Sequence, residues 1–118
     1  MAGLSTHVLD TAHGRPAAGM RGELSRLLPD GGQEVVVTFA TNADGRADSP
    51  LLPGDSFRRG TYELTYDVAA YFAGLGVTLP DPPFLDRVTL RFGIADLGAH
   101  YHVPLLVSPF GYTTYRGS

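Results

Sequence analysis

A few histidines, one well-placed arginine and a carboxyl end rich in tyrosine and hydroxyl groups carry most of the chemistry in this chain. His100 and His102 stand two apart in His100-Tyr101-His102-Val103, a segment that reads as a β-strand. Residues i and i+2 of a strand point to the same face, about 7 Å apart along the chain. His7 lies near the amino end in Ser5-Thr6-His7-Val8-Leu9, another strand candidate. His13 follows Asp10-Thr11 in a turn-like stretch and reads as a solvated loop residue. A neutral imidazole is the side chain best matched to general base work near pH 7. A histidine pair on a strand with a distant third His also fits a three-imidazole zinc site, using His7, His100 and His102. A pair of surface residues on an edge strand is the plainer reading, ahead of zinc. Spacing alone leaves these three readings open.

Arg46 follows Asp44-Gly45, a tight-turn pair. A guanidinium on a rigid turn presents a planar, permanently charged fork that can grip an oxyanion or a urea-like edge. A solvated turn residue is the other reading. Chain ends are usually frayed and polar, whereas this one reads Tyr112-Thr113-Thr114-Tyr115-Arg116-Gly117-Ser118. Such a terminus is expected to be docked and used; Tyr115 and Ser118 read either as ordinary terminal residues or as part of a face that lines something wetter than a core. Arg58 and Arg59 read as loop charges, and Arg87 and Arg91 as the exposed face of a strand. The sequence has no Gly-x-Ser-x-Gly elbow and no glycine-rich phosphate loop, which disfavours covalent catalysis and nucleotide binding.

The elements that must hold these groups follow a period of two. Residues 34–41 alternate, with Val35, Val37 and Phe39 on one face and Val36, Thr38 and Ala40 on the other. Residues 61–67 set Tyr62, Leu64 and Tyr66 against Thr61, Glu63, Thr65 and Asp67, and residues 87–95 repeat the pattern. Residues 4–9, 19–24, 100–107 and 111–116 are further strand candidates, the weakest being 19–24 with its two glycines. Turn signals at Asp30-Gly31-Gly32, Asp44-Gly45, Pro53-Gly54-Asp55 and Pro80-Asp81-Pro82-Pro83 separate them. The Ala-rich stretch 68–75 predicts one short helix, capped by Asp67 and ending near Gly74 or Gly76. Seven or eight short strands with one helix predict an all-β sandwich.

The chain of 118 residues fits a single domain, 1–118, able to bury a core without a disulfide or structural metal. It contains no Cys, which removes disulfides, thiolate catalysis and Cys-based zinc sites. Nine arginines, no lysine and twelve acidic residues give a formal charge of −3. Without a concentrated basic patch, nucleic acid and anionic membrane are unfavoured partners. With neither a signal peptide pattern nor a long apolar run, a cytoplasmic location is expected.

Three segments together resemble one family: Leu4-Ser5-Thr6-His7-Val8-Leu9-Asp10-Thr11, Thr41-Asn42-Ala43-Asp44-Gly45-Arg46, and the terminal Tyr115-Arg116-Gly117-Ser118. They resemble the 5-hydroxyisourate hydrolases, transthyretin-related enzymes of purine breakdown, and the likeness runs essentially end to end. It implies a transthyretin-like sandwich assembled as a homotetramer, a dimer of dimers, with sites where the dimers meet. It implies the small-molecule substrate 5-hydroxyisourate, whose six-membered ring is opened by water, and no cofactor. It places catalytic roles on His7, Arg46, His102 and Ser118, and substrate contacts on His7, Arg46, Tyr115 and His100. Val107, Phe110 and Thr113 depart conservatively from residues common in the family. A carrier of small molecules, as transthyretin is, is the alternative, because one fold can host unrelated functions. The polar His, Arg, Tyr and Ser set argues against an apolar ligand.

Overall fold

The computed structural model describes residues 2–117. Its strands are β1 (Gly3–Asp10), β2 (Arg15–Pro16), β3 (Arg21–Leu27), β4 (Gln33–Ala40), β5 (Gly60–Asp67), β6 (Arg87–Ile94), β7 (His100–Ser108) and β8 (Gly111–Thr113). A 3-10 turn (Gly54–Ser56) precedes β5, and the helix α1 (Val68–Gly74) follows it. Two four-stranded sheets form, ordered β2-β1-β7-β8 and β4-β3-β5-β6. All neighbouring strands are antiparallel except β1 and β7, which run parallel. That exception lays the amino-terminal strand beside the penultimate one, with Ser5 opposite His102 and His7 opposite Pro104.

Alternation decides which side chains face inward. Along β1, Leu4, Thr6, Val8 and Asp10 are buried, while Ser5, His7 and Leu9 face outward and are half-buried. Along β7, Tyr101, Val103, Leu105 and Val107 are buried, and His100 and His102 are half-buried on the outward side. From the other sheet, Leu24, Tyr62, Leu64, Tyr66, Val88, Leu90 and Ile94 complete the core. Each fully buried aliphatic side chain contributes about 1.5–3 kcal/mol over an exposed one. The inward Thr6 hydroxyl donates to the Val103 carbonyl at 2.7 Å and so pins β1 to β7 from inside. Among the described residues, no buried side-chain polar atom lacks a partner.

Four local expectations need correction. Strict alternation in 34–41 is broken by a bulge: Leu24 pairs with Val37 and Ser25 with Val35, which leaves Val36 as the extra residue. An inserted residue reverses the facing of everything on one side of it. Val36, Val37 and Phe39 therefore pack on the core, while Val35 is 55% exposed. Asp67 sits at the start of α1 but makes no capping hydrogen bond. Its carboxylate accepts from Arg87 at 2.9 Å instead, and the Asp86 carbonyl receives the free amides of Val68 and Ala69. The weak strand expected at 19–24 lies at Arg21–Leu27, and the one expected at 111–116 stops at Thr113. The helix falls within the expected 68–75. No helix among the described residues is long and apolar enough to cross a membrane.

Candidate active site

The parallel register of β1 and β7 brings histidines from opposite ends of the chain onto one outward sheet face. Ser5 lies between the two histidines of β7. Its Oγ is 2.9 Å from His100 Nε2 and 2.8 Å from His102 Nδ1. His7, two residues along the same face of β1, is close enough for its charge to act on His102.

Arg46 reaches this face because its turn is docked on β1. Asn42 builds the turn: its side-chain oxygen accepts from the amides of Asp44 (2.9 Å) and Arg46 (3.1 Å). The Val8 amide then donates to the Gly45 carbonyl at 2.8 Å, which ties the turn to the strand beside His7. Gly45 has φ +77°, and a Cβ there would collide with the Val8 carbonyl oxygen. Only glycine satisfies both demands. Arg46, Ser5, Leu4 and Leu51 contribute to the lining of a cleft of about 200 Å³.

The carboxyl tail folds back over the same strand. The Gly117 amide donates to the His102 carbonyl at 2.7 Å. A Cβ at Gly117 would stand 2.8 Å from His102 Cδ2, so any side chain there would push the imidazole aside. Arg116 lies over the Tyr101 ring, 4.1 Å from its centroid, in a cation–π contact. The tail is docked as its composition suggested. Tyr115, in contrast, is 59% exposed and lies along a separate groove with Phe92 and Tyr112. The chain's own fold does not bring Tyr115 to the imidazoles. Ser118 lies outside the described residues.

Electrostatics follow from this placement. Partial burial lowers the His102 pKa from its usual range, and the positive charges of Arg46, His7 and His100 lower it further. The fold thus favours a neutral imidazole at His102. The zinc reading meets a geometric objection. The ring nitrogens that face each other across His100 and His102 share the Ser5 hydroxyl rather than opening toward a common ion. No three His, Asp or Glu side chains among the described residues are arranged to hold a metal.

Two features escaped sequence reasoning. Ser5 was legible only as a residue on the His7 face of a strand, and nothing in its type announced a histidine partner. His13 is not a free loop residue: its Nδ1 lies 2.7 Å from the Asp10 carboxylate and its ring stacks on Phe72. Asp10, almost wholly buried, also accepts from the Tyr71 hydroxyl at 2.8 Å. The Asp-x-x-His spacing at the end of a strand was the available signal.

Residues 4–117 match the model of the HIUase/Transthyretin family. The chain belongs to that family. Within it, the chain is 58% identical over 115 residues to 5-hydroxyisourate hydrolase 2 of Rhizobium meliloti, covering 98% of this chain and 95% of the relative. The crystal structure of (S)-allantoin synthase superposes with a TM-score of 0.93 at 49% identity; it covers 99% of this chain, which spans only 44% of that longer one. Sea bream transthyretin in complex with thyroxine gives a TM-score of 0.87 at 31% identity, covering 97% of this chain and 93% of its own. The family thus includes both a hydrolase and a protein holding thyroxine. Backbone likeness does not separate them, whereas identity lies well on the side of the hydrolase.

Proposed function

We propose that this chain hydrolyses 5-hydroxyisourate to 2-oxo-4-hydroxy-4-carboxy-5-ureidoimidazoline, a step of purine catabolism, with His102 as general base and Arg46 as the oxyanion-stabilising group. Water attacks a ring carbonyl carbon. His102 takes one proton from that water as its oxygen bonds to carbon, and Arg46 holds the negative charge that develops on the carbonyl oxygen. The C–N bond then breaks, and the imidazolium returns its proton to the departing nitrogen. The products are a carboxyl group and a ureido nitrogen, with no redox change. His7 and His100 share the face and can hold the substrate's carbonyl edges. No metal or organic cofactor is needed for any step.

The observation that carries this reading is the convergence of His7, His102 and Arg46 on one face, with the charged form of His102 disfavoured by burial and by the cations around it. A carrier of apolar hormones has no use for such a polar floor. What one chain leaves exposed supports an assembly of several copies. β8 forms an unpaired sheet edge, and Phe84, Phe110 and Tyr112 are 70%, 63% and 46% exposed around it. Short unpaired edges flanked by aromatic residues are suited to pairing with a second copy. In a homotetramer built as a dimer of dimers, Tyr115 and Ser118 can complete a cleft that one chain leaves open.

Freshly generated 5-hydroxyisourate loses its ultraviolet absorbance spontaneously. Addition of the purified protein is expected to accelerate that decay in proportion to enzyme concentration. A decay rate independent of protein would end the hydrolase reading.

A further inference from the structure

Ser5 is the side-chain partner that His100 and His102 have in common, and a hydroxyl has only one proton to give. If Ser5 donates to His102 Nδ1, the neutral His102 carries its proton on Nε2 and has no lone pair left for a water. If Ser5 instead accepts from His102 Nδ1–H, the Nε2 lone pair is free. When His102 becomes an imidazolium it must donate from Nδ1 in any case. Only the second arrangement is already oriented for that charged state, so no hydroxyl has to turn as the proton arrives. The Ser5 proton then points to His100 Nε2, which accepts it. His100 therefore carries its own proton on Nδ1.

We propose that Ser5 is a positioning residue for this reaction: its hydroxyl accepts from His102 Nδ1–H and donates to His100 Nε2, fixing His102 in the tautomer whose Nε2 is the base. This rests on the assignment of His102 as general base made above. It gives His100 a second role besides holding the substrate, as the acceptor that orients the serine. The pattern is a base held by a third group through a hydrogen bond to its far nitrogen, here with a neutral hydroxyl and imidazole in place of a carboxylate.

The test uses the full-length protein labelled with ¹⁵N-histidine. Long-range ¹H–¹⁵N NMR above the histidine titration range is expected to find His102 protonated at Nδ1 and bare at Nε2. In Ser5→Ala, the Nε2–H form of His102 is expected to rise, and kcat to fall by about 10- to 100-fold, the usual cost of removing a group that orients a working histidine. KM should stay within about twofold, because Ser5 is assigned no substrate contact. Ser5→Thr keeps the hydroxyl and should restore both tautomer and kcat, which a merely structural loss in the alanine variant would not explain. A wild-type His102 protonated at Nε2, or a tautomer unchanged in Ser5→Ala, would overturn the assignment. A shifted tautomer with undiminished kcat would uphold the role of Ser5 on His102 and instead remove His102 as the base.

Discussion

Strand β1 serves two histidine clusters, and they differ in the company they keep. At Ser5 the partners of His102 are a hydroxyl, two further imidazoles and a guanidinium. At Asp10, about 17 Å further along the strand by its rise per residue, the partner of His13 is a buried carboxylate shared with Tyr71. The first cluster faces outward beside a cleft; in the second, Asp10 faces the core. In the first, burial and neighbouring cations disfavour a charge on the imidazole. In the second, burial opposes the charge on Asp10, but hydrogen bonds from Tyr71 and His13 outweigh it and hold the carboxyl below its usual pKa. Burial, reinforced by the hydrogen bond to Asp10 and its charge, pushes the Tyr71 hydroxyl up to about 12. One imidazole keeps a ring nitrogen clear of Ser5 and has its charged form disfavoured; the other is tied to a buried carboxylate that holds a turn and a helix to the strand. Residue type alone would not have separated a site from a brace.

Substitutions should separate them. His102→Asn and Arg46→Ala are each expected to lower kcat/KM by about 10²–10⁴-fold, the range for a lost general base or oxyanion group, with melting temperature little changed. His13→Asn should leave turnover within about twofold. Near-normal turnover in folded His102→Asn would erase the functional half of the contrast. Asp10→Asn should do the reverse. It should lower stability by about 2–3 kcal/mol, as expected when buried partners lose a charged acceptor, and leave kcat almost untouched. Denaturant titration reads the first effect and the ultraviolet assay the second.

A smaller and sharper difference lies in pH. A base whose pKa is lowered stays competent further into acid, so kcat/KM should hold constant as pH falls to a midpoint below about 6.5, the ordinary histidine value, and decline beneath it. Asp10 has the opposite sign of charge and a depressed folded pKa. Its contribution to stability is fully present above about 3.9, the unfolded value, and is lost as pH falls through the folded one. Activity should therefore fail at a higher pH than the brace does, as parallel rate and circular dichroism titrations would reveal. The smallest expected effect is that of a chelator: metal removal should leave the rate unchanged, and a loss restored by zinc would return His7, His100 and His102 to a metal site.

Much of this architecture was readable from residues. Alternation at 61–67 and 87–95 marked β5 and β6 because both carry one fully inward face. It failed at Val35, where one extra residue in β4 turned a valine to solvent, since a bulge depends on the partner strand. The Asp67 cap failed for a related reason: Arg87, across a β5–β6 pair, claimed the carboxylate. His7, His100, His102 and Arg46 were picked out by type and family motif, and their convergence was inferred. Ser5 and the Asp10 bracket were not picked out, because a serine or an aspartate becomes informative only when its neighbour is known.

The sequence by itself determined the strands, the helix, the absence of thiols and the stock of imidazole and guanidinium groups, since periodicity and composition are properties of a chain before it folds. The tertiary structure alone decided that Ser5 should lie against His102, that Gly45 should seat Arg46 beside His7, and that His13 should be occupied by Asp10. Seating Arg46 rests on the Val8 amide donating to the Gly45 carbonyl, and His13 on the Asp10 carboxylate three residues before it; the Ser5–His102 contact rests on a parallel pairing between strands more than ninety residues apart. Contacts of that span depend on strand register and on close backbone approach, which no local pattern encodes.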